Sequence, residues 1–490
     1  MANKPQHHSP PSPKPLWGSS SRLPGLFRPR LLIIVGCTFT LLVSACLLVL
    51  EFENQNYALR LQLFRPNHYF EKQCYTPLES ATERLQHGSP PPVPPPPGGS
   101  GGEVKNGDEE EWRFVASRDA NNYALNSEQC LAAFPKLFTE IDKSVTQRRE
   151  ANNPITFGEI NSRKKLGQGM ARAMIYQGEL YIVEYGDMMY TATRAKSTLH
   201  SLHRALVANA DREPLPSIEF HFSADDFVWD DLKLAGGPVW AYSKRDTSDI
   251  DLGDVDDSNI WLMPDFGYWA WPEVEIAPYR ETRRRIAAVD SEYDDFQAKK
   301  KQLLWRGSLN TASELRSGLV EATKNKYWAS VRVVDWGDSK SVADNVLPIE
   351  DHCRYMFLAH TEGRSFSGRG KYLLNCHSVF ITHPLIWREA HHAALISSGP
   401  DANYVQVARD FSNLEAKVEY LLDNPQVAER IANNSVETFR DRYLTPAAEA
   451  CYWRYLIRKY AEVSDFEPKL YDERTKKMRG QPYEQWVLSL

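Results

Sequence analysis

The sequence predicts an α/β protein: two Rossmann-type lobes facing a cleft, carried on one transmembrane helix and a disordered stem. Three observations lead there. Strand-like and helical segments alternate from about residue 112 to 463, the pattern of parallel sheets with crossover helices. The run "LLIIVGCTFTLLVSACLLVL", Leu31 to Leu50, carries no charge and at about 1.5 Å per residue covers the roughly 30 Å of a bilayer core. "GSPPPVPPPPGGSGG", from Gly88 to Gly102, cannot build a core and reads as polyproline spacer and flexible linker.

Lys4, Lys14, Arg22, Arg28 and Arg30 precede the apolar run without an acidic residue, and Glu51 and Glu53 follow it. The positive-inside bias keeps 1–30 cytosolic, makes 31–50 a signal anchor and sends the rest into the lumen. The alternative is a cleaved signal peptide with small residues at Ser44 and Ala45, but such h-regions usually run about 7–15 residues. After the stem, 51–111, come a first lobe at 112–290, a second at 291–463 and a charged tail at 464–490, expected to be loosely attached. A net charge of -6 with 42% hydrophobic and 25% charged residues fits a globular chain and provides no basic field for nucleic acid. Cys37 and Cys46 fall in the span; Cys74, Cys130, Cys353, Cys376 and Cys451 lie beyond it, an odd number whose pairing stays open. Asn433-Asn434-Ser435 is a glycosylation sequon consistent with secretory passage.

In chain order, "RAMIYQGELYIVEY" reads as a hairpin turning near Gly178, a helix follows from about Thr191 to Ala210, and "SIEFHF" and "VWAYS" are strands. A long charged helix is expected across Glu281 to Lys301, leading into the strand "QLLWRG". Thr311 with Glu314 three residues later has the pattern of a capping box and marks the next helix start. "SVRVVDW", "CRYMFLAHTEG" and "SVFITH" are strands, "FSGRGKYLLN" enters a helix, and Leu414 to Tyr460 is mostly helical.

Four segments carry chemistry. In "LWRGSLNTASEL", a strand end, a turn and a helix start point backbone N–H groups at an anion, and Arg306 adds a cationic fork beside Ser308; the alternative is a surface arginine before a helix. In "EGRSFSGRGKYLLNC", Gly363, Gly368 and Gly370 allow close approach, Ser365 and Ser367 bind oxygen, and Arg369 and Lys371 supply charge. The segment matches neither a dinucleotide fingerprint nor a P-loop. In "FHFSADDFVWDD", Asp225 and Asp226 follow a strand, where a carboxylate at a cleft mouth can act as a general base or simply be solvated. In "MPDFGYWAWPE", Tyr268, Trp269 and Trp271 can stack on a sugar or fill the core. The acidic run from Asp246 to Asp257 contains Asp249-Ile250-Asp251 and Asp254-Val255-Asp256, an Asp-x-Asp pattern able to take Mg or Mn, though six aspartates with little apolar content also describe a solvated loop. His391-His392 and the cysteines lack zinc spacing.

In this order these segments resemble glycosyltransferase family 90, which includes fungal capsule-associated proteins and animal protein O-glucosyltransferases. The resemblance covers roughly Ser217 to Tyr460, and its most specific parts are "LWRGS", "DHCRYMFLAHTEGRSFSGRGKYLLNCHSVF" and "CYWRYL". It implies a GT-B-like fold with an N-terminal acceptor-side lobe and a C-terminal nucleotide-sugar-binding lobe, a UDP-sugar donor, inversion at the anomeric carbon and no metal or cofactor. Arg306, Ser308, Gly363, Ser367, Arg369 and Lys371 match donor-binding positions, with Arg369 the diphosphate partner. Asp226 matches the catalytic base, but "ADDF" offers two aspartates where family members often have one after arginine, so Asp225 stays open. Cys353 with Cys376 resembles a family disulfide, and Cys130 with Cys451 a second pair.

The expected function is therefore transfer of xylose or glucose from a UDP-sugar to a hydroxyl of a polysaccharide, glycolipid or protein, by a single-pass type II membrane protein of the Golgi or endoplasmic reticulum. The rival readings are a metal-dependent transferase using the Asp249 loop and a non-catalytic luminal glycan-binding protein.

Overall fold

Two β-sheets, one 6-stranded and one 5-stranded, organise the described chain, beside a 2-stranded ribbon. The computed structural model describes residues 112–162, 166–188, 191–226, 237–246 and 256–489. The expected membrane span, the stem with Cys74 and the aspartates 249, 251 and 254 lie outside them. Among the described residues no helix is long and apolar enough to cross a membrane.

The strands are β1 (Met170–Tyr176), β2 (Glu179–Tyr185), β3 (Ile218–Ser223), β4 (Val239–Ala241), β5 (Lys244–Arg245), β6 (Ile260–Leu262), β7 (Lys300–Gly307), β8 (Ala329–Val333), β9 (Tyr355–His360), β10 (Val379–Thr382), β11 (Trp387–Arg388), β12 (Val405–Gln406) and β13 (Gln481–Pro482). The first sheet has the order β13-β2-β1-β3-β4-β6 and the second β12-β10-β9-β7-β8, while β5 and β11 form a separate ribbon. The fold is α/β, but only the second sheet is wholly parallel. In the first, β13, β2, β1 and β3 pair antiparallel, and only β3, β4 and β6 run parallel. The reason is the tight turn at Gln177 (φ 52°) and Gly178 (φ 86°), which reverses the chain in two residues and leaves no room for a crossover helix.

The second sheet is apolar on both faces, as helix-covered parallel sheets must be. Side-chain alternation sends Leu303, Trp305, Phe357 and Ile381 into one core. Leu304, Leu358 and Phe380 face the opposite way, into a core continuous with the first sheet.

The helices that position the site are α1 (Ser127–Ala133), α2 (Thr139–Glu150), α3 (Ala192–Val207), α4 (Tyr279–Asp290), α5 (Ser313–Ala322), α6 (Gly370–Leu373) and α7 (Pro446–Glu462). The charged helix expected over Glu281 to Lys301 ends at Asp290; Lys299 turns inward, fully buried, onto Asp290 at 2.7 Å, and β7 begins one residue later. The expected capping box at Thr311 does not form: α5 starts after Ala312, which is left-handed (φ 45°), with no side-chain cap.

Helix α7 returns from the second sheet to pack on α1, α2, α3 and β3, and the disulfide Cys130–Cys451 fastens α1 to it. The tail, expected to be loose, instead adds β13 to the edge of β2 and buries Tyr483 and Trp486. These two buried aromatic residues anchor it despite its charge content, and Arg479 reaches the buried Glu219 at 2.6 Å. Trp486→Ala should therefore destabilise the chain by about 3–5 kcal/mol, measured by denaturant unfolding.

Candidate active site

In the second sheet β8 lies on one side of β7, and β9, β10 and β12 on the other. The winding therefore reverses between β7 and β9, and ligands of such sheets bind outside the carboxyl ends of the strands at that crevice. Arg306, Gly307 and Ser308 leave β7 there, and Glu362 and Gly363 follow β9.

Three guanidinium groups converge behind these ends, and backbone carbonyls hold all of them. Arg316, on α5, donates from Nη1 to the Ser308 carbonyl at 2.7 Å and from Nε to the Glu362 carbonyl at 3.0 Å. Arg369 donates to the Arg306 carbonyl. Arg306 turns its fork back along the sheet, to the Trp305 carbonyl at 2.8 Å and to the carbonyl and Oγ of Ser330. Its two terminal nitrogens are thus engaged on β7 and β8, while its buried Nε has no hydrogen-bond partner among the described residues. Desolvation, with mutual repulsion, pushes Arg369 down to about 9; desolvation alone pushes Arg316 down to about 10. Both keep their charge at neutral pH, and none of the three has a carboxylate within ion-pair distance among the described residues.

The Gly363–Lys371 segment lies inside the loop closed by Cys353–Cys376, whose cysteines are 23 residues apart. Gly370 rests on the buried His360, where an added Cβ would fall 2.8 Å from the ring. Lys371, a second expected anion ligand, is fully buried on Asp265 at 2.6 Å, so it anchors the segment from below. Ser308 accepts from the Asn310 N–H at 3.1 Å and shapes the turn.

From the first sheet, Asp225 and Asp226 follow β3. Asp225 is buried and its Oδ1 accepts the Asp226 N–H at 2.6 Å. Asp226 instead presents its carboxylate to a cavity of about 380 Å³, shared with Arg194, Phe266, Trp271, Thr311, Arg316, Gly363 and Ser367. Desolvation pushes the Asp226 carboxyl up; Arg194, 3.1 Å away, pulls it down, and Asp225 adds to the rise. Of the three expected stacking aromatics only Trp271 lines this cavity. Tyr268 is buried against Tyr279, and Trp269 stacks on His200 at 4.7 Å under Arg204.

Arg194 and Arg316 were not among the residues the sequence singled out. Arg194 carried a usable signal, since a cation in the first turn of a helix opposes the macrodipole unless an anion answers it. Arg316 carried none, since an arginine one turn into a polar helix looks solvated.

Among the described residues, Glu389, His391 and His392 bring possible metal-ligand atoms within 4.8 Å of one another. However, His392 Nδ1 accepts the Glu389 N–H at 3.1 Å, which leaves its Nε2 protonated and facing Glu389 rather than open to a metal. Three aspartates of the acidic run are engaged locally: Asp246 on Arg388, Asp257 on Arg245 and Asp256 on the Ser258 N–H. Asn433 is exposed on the helix Pro425–Ser435 and bonds His377 at 2.7 Å.

A family model described as Glycosyl transferase family 90 matches residues 127–480. The chain belongs to glycosyl transferase family 90. It is a glycosyltransferase, similar to the O-glucosyltransferase rumi homolog of Aedes aegypti, at 28% identity over 61% of this chain and 76% of that protein. It is similar also to O-glucosyltransferase rumi of Drosophila melanogaster, at 28% over 49% and 58%, and to Protein O-glucosyltransferase 1 of Homo sapiens, at 29% over 32% and 39%. The matched region thus spans from 39% to 76% of these relatives' own lengths. Among solved structures, Alr3699/HepE of Anabaena, crystallised with UDP and glucose, matches 55% of this chain and 74% of that chain at 11% identity and a TM-score of 0.30. Both disulfide pairs expected of family 90 are present.

Because Lys371 and Asp265 neutralise each other in the interior, Lys371→Met should cost about 3–5 kcal/mol by stranding a buried carboxylate. Adding Asp265→Asn should restore part of that loss in the same denaturant measurement.

Proposed function

We propose that this family 90 chain is an inverting, metal-independent glycosyltransferase of GT-B architecture, moving xylose or glucose from a UDP-sugar to a hydroxyl of a polysaccharide, glycolipid or protein. The observation that carries the reading is the single cavity in which Asp226, from the first sheet, faces Arg316 and the Gly363–Ser367 turn from the second. The names of the similar O-glucosyltransferases support a glucosyl donor.

In this reading the diphosphate lies against the switch point between β7 and β9. Arg316 meets it directly and Arg369 supports it from behind, while Arg306 acts through its carbonyl as a positioning residue. Gly363, Gly368 and Ser367 let the backbone approach the phosphates, and Trp271 walls the sugar. The acceptor oxygen attacks C1 of the sugar as its proton passes to an Asp226 carboxylate oxygen. The C1–oxygen bond to the β-phosphate breaks from the opposite face, and its electron pair leaves on UDP. Positive charge fixed in a low-dielectric site stabilises that departing charge without reorganisation. Asp225, bonded to the backbone of its neighbour, shapes the base rather than replacing it. The two disulfides suit an oxidising compartment and support a luminal catalytic region in the Golgi or endoplasmic reticulum, anchored by the 31–50 span.

Calorimetry of the full chain in detergent should show saturable UDP binding that survives a chelator and weakens at least about tenfold in Arg316→Ala, a loss in the range of charge-assisted hydrogen bonds. Loss of binding or turnover in chelator would instead support a metal-dependent reaction at the acidic loop. Asp226→Asn should keep UDP affinity and lose about 10²- to 10⁴-fold in transfer. The rate of the parent chain should fall with decreasing pH through a midpoint above the usual carboxylate range, as the base becomes protonated. UDP binding with no transfer to any acceptor would favour the glycan-binding reading.

A further inference from the structure

Arg194 opens an unexpected question, because a cation occupies the first turn of α3, a turn with no acidic residue of its own. The helix N-terminus carries positive partial charge, so this placement costs free energy unless an anion compensates. The anion that meets the guanidinium is Asp226, whose Oδ1 is 3.1 Å from Arg194 Nη1, while Glu273 accepts from the Thr193 hydroxyl in the same turn. The guanidinium is also fixed from other directions. Its Cζ lies 4.8 Å from the Phe266 ring centroid, a contact that restrains its plane, and Phe266 packs edge-on against Trp271 of the cavity wall. The Arg194 carbonyl accepts from Thr198 Oγ1 at 2.9 Å, and that oxygen also contacts the buried Tyr242 hydroxyl at 2.6 Å.

We propose that Arg194 is the positioning residue of the reaction: it holds the Asp226 carboxylate aimed into the cavity and keeps it ionised, ready to take the acceptor proton. This rests on the transferase reading above. The charged groups acting on the carboxyl are Arg194 from α3, Asp225 from the same loop and Arg364 from the loop after β9; Tyr242, after β4, stands behind Arg194. Arg194 and Arg364 favour the anion, whereas desolvation and Asp225 oppose it. Removing the Arg194 charge therefore raises the pH at which Asp226 loses its proton, and the acid limb of transfer moves to higher pH with it. A residue that bound only the donor diphosphate would leave that limb in place and raise the KM for the UDP-sugar.

The test uses the full chain as Arg194→Met, which keeps an apolar stem against Phe266, and as Arg194→Lys, which keeps the charge. Water-soluble carbodiimide reacts with protonated carboxyls, so peptide mass spectrometry over a pH series reads the titration midpoint of Asp226 without requiring turnover. In Arg194→Met the midpoint should rise by about half a pH unit or more, the scale of a close charge pair at a partly hydrated site. Arg194→Lys should stay near the parent value. In transfer assays the acid limb of Arg194→Met should move by the same amount, kcat should fall at least about tenfold, and the UDP-sugar KM should change less than about threefold. An unmoved midpoint in an Arg194→Met chain that retains the parent melting temperature, or a raised KM with an unmoved limb, overturns the proposal. If Arg194→Met does not fold, a Lys variant with the parent midpoint and rescued turnover supports it, and one with the parent midpoint but no turnover overturns it. A parent chain that labels at Asp226 but transfers no sugar overturns the transferase reading, and with it the catalytic purpose of the pair, while the midpoint shift still reports the pair itself.

Discussion

Cationic side chains held by backbone carbonyls, with no carboxylate among the described residues to neutralise them, set the terms for the rest of this structure. A carboxylate partner would cancel the field at the crevice; a carbonyl orients the guanidinium and leaves its charge standing. Arg316 spans the ends of both central strands through Ser308 and Glu362, and Arg369 locks onto Arg306. Such a cluster repels itself, so the scaffold must hold it. The disulfide around the Gly363–Lys371 segment, the Lys371–Asp265 anchor and the close seat of Gly370 on His360 all serve that end.

The opposite wall follows a different electrostatic plan. Asp226 sits in a partly dehydrated position that favours its neutral form, while the guanidinium beside it favours the anion. The strand ends of the second sheet thus carry positive charge with no ion-pair partner among the described residues, and the loop after β3 carries the Asp226 carboxylate, an arrangement suited to departure of an anion on one side and proton capture on the other.

Much of this was legible in the sequence where the signal was local. The Gly178 hairpin, the buried strands before Arg306 and Gly363, and the helix running to Tyr460 announce themselves through turn chemistry and apolar runs. The disulfide pairs were legible only through family resemblance, because nothing local joins Cys130 to Cys451. What sequence reading missed depended on three-dimensional accounting. It expected Lys371 at the ligand, but an aspartate 106 residues earlier claims the ammonium. It expected Thr311 to cap a helix, but Ala312 takes a left-handed turn first. It expected a loose tail, but two aromatic residues near the C-terminus find a sheet edge laid down three hundred residues before. Arg194 and Arg316 stayed hidden because a long polar side chain does not declare its partner in one dimension.

The return of α7 and β13 to the first sheet also bears on how the protein is made. Cys130 waits for a partner 321 residues away, and β2 lacks its outer neighbour until Pro482 has emerged. A nascent chain leaving the ribosome therefore carries an unpaired thiol until the 321 residues that separate Cys130 from Cys451 have been added, and an unfinished sheet edge for longer still. The second sheet, contained between Lys300 and Gln406, is complete first. Completion of the first sheet thus waits on α7 and β13, and a chain cut before Gln481 carries a folding lesion rather than a trimmed end.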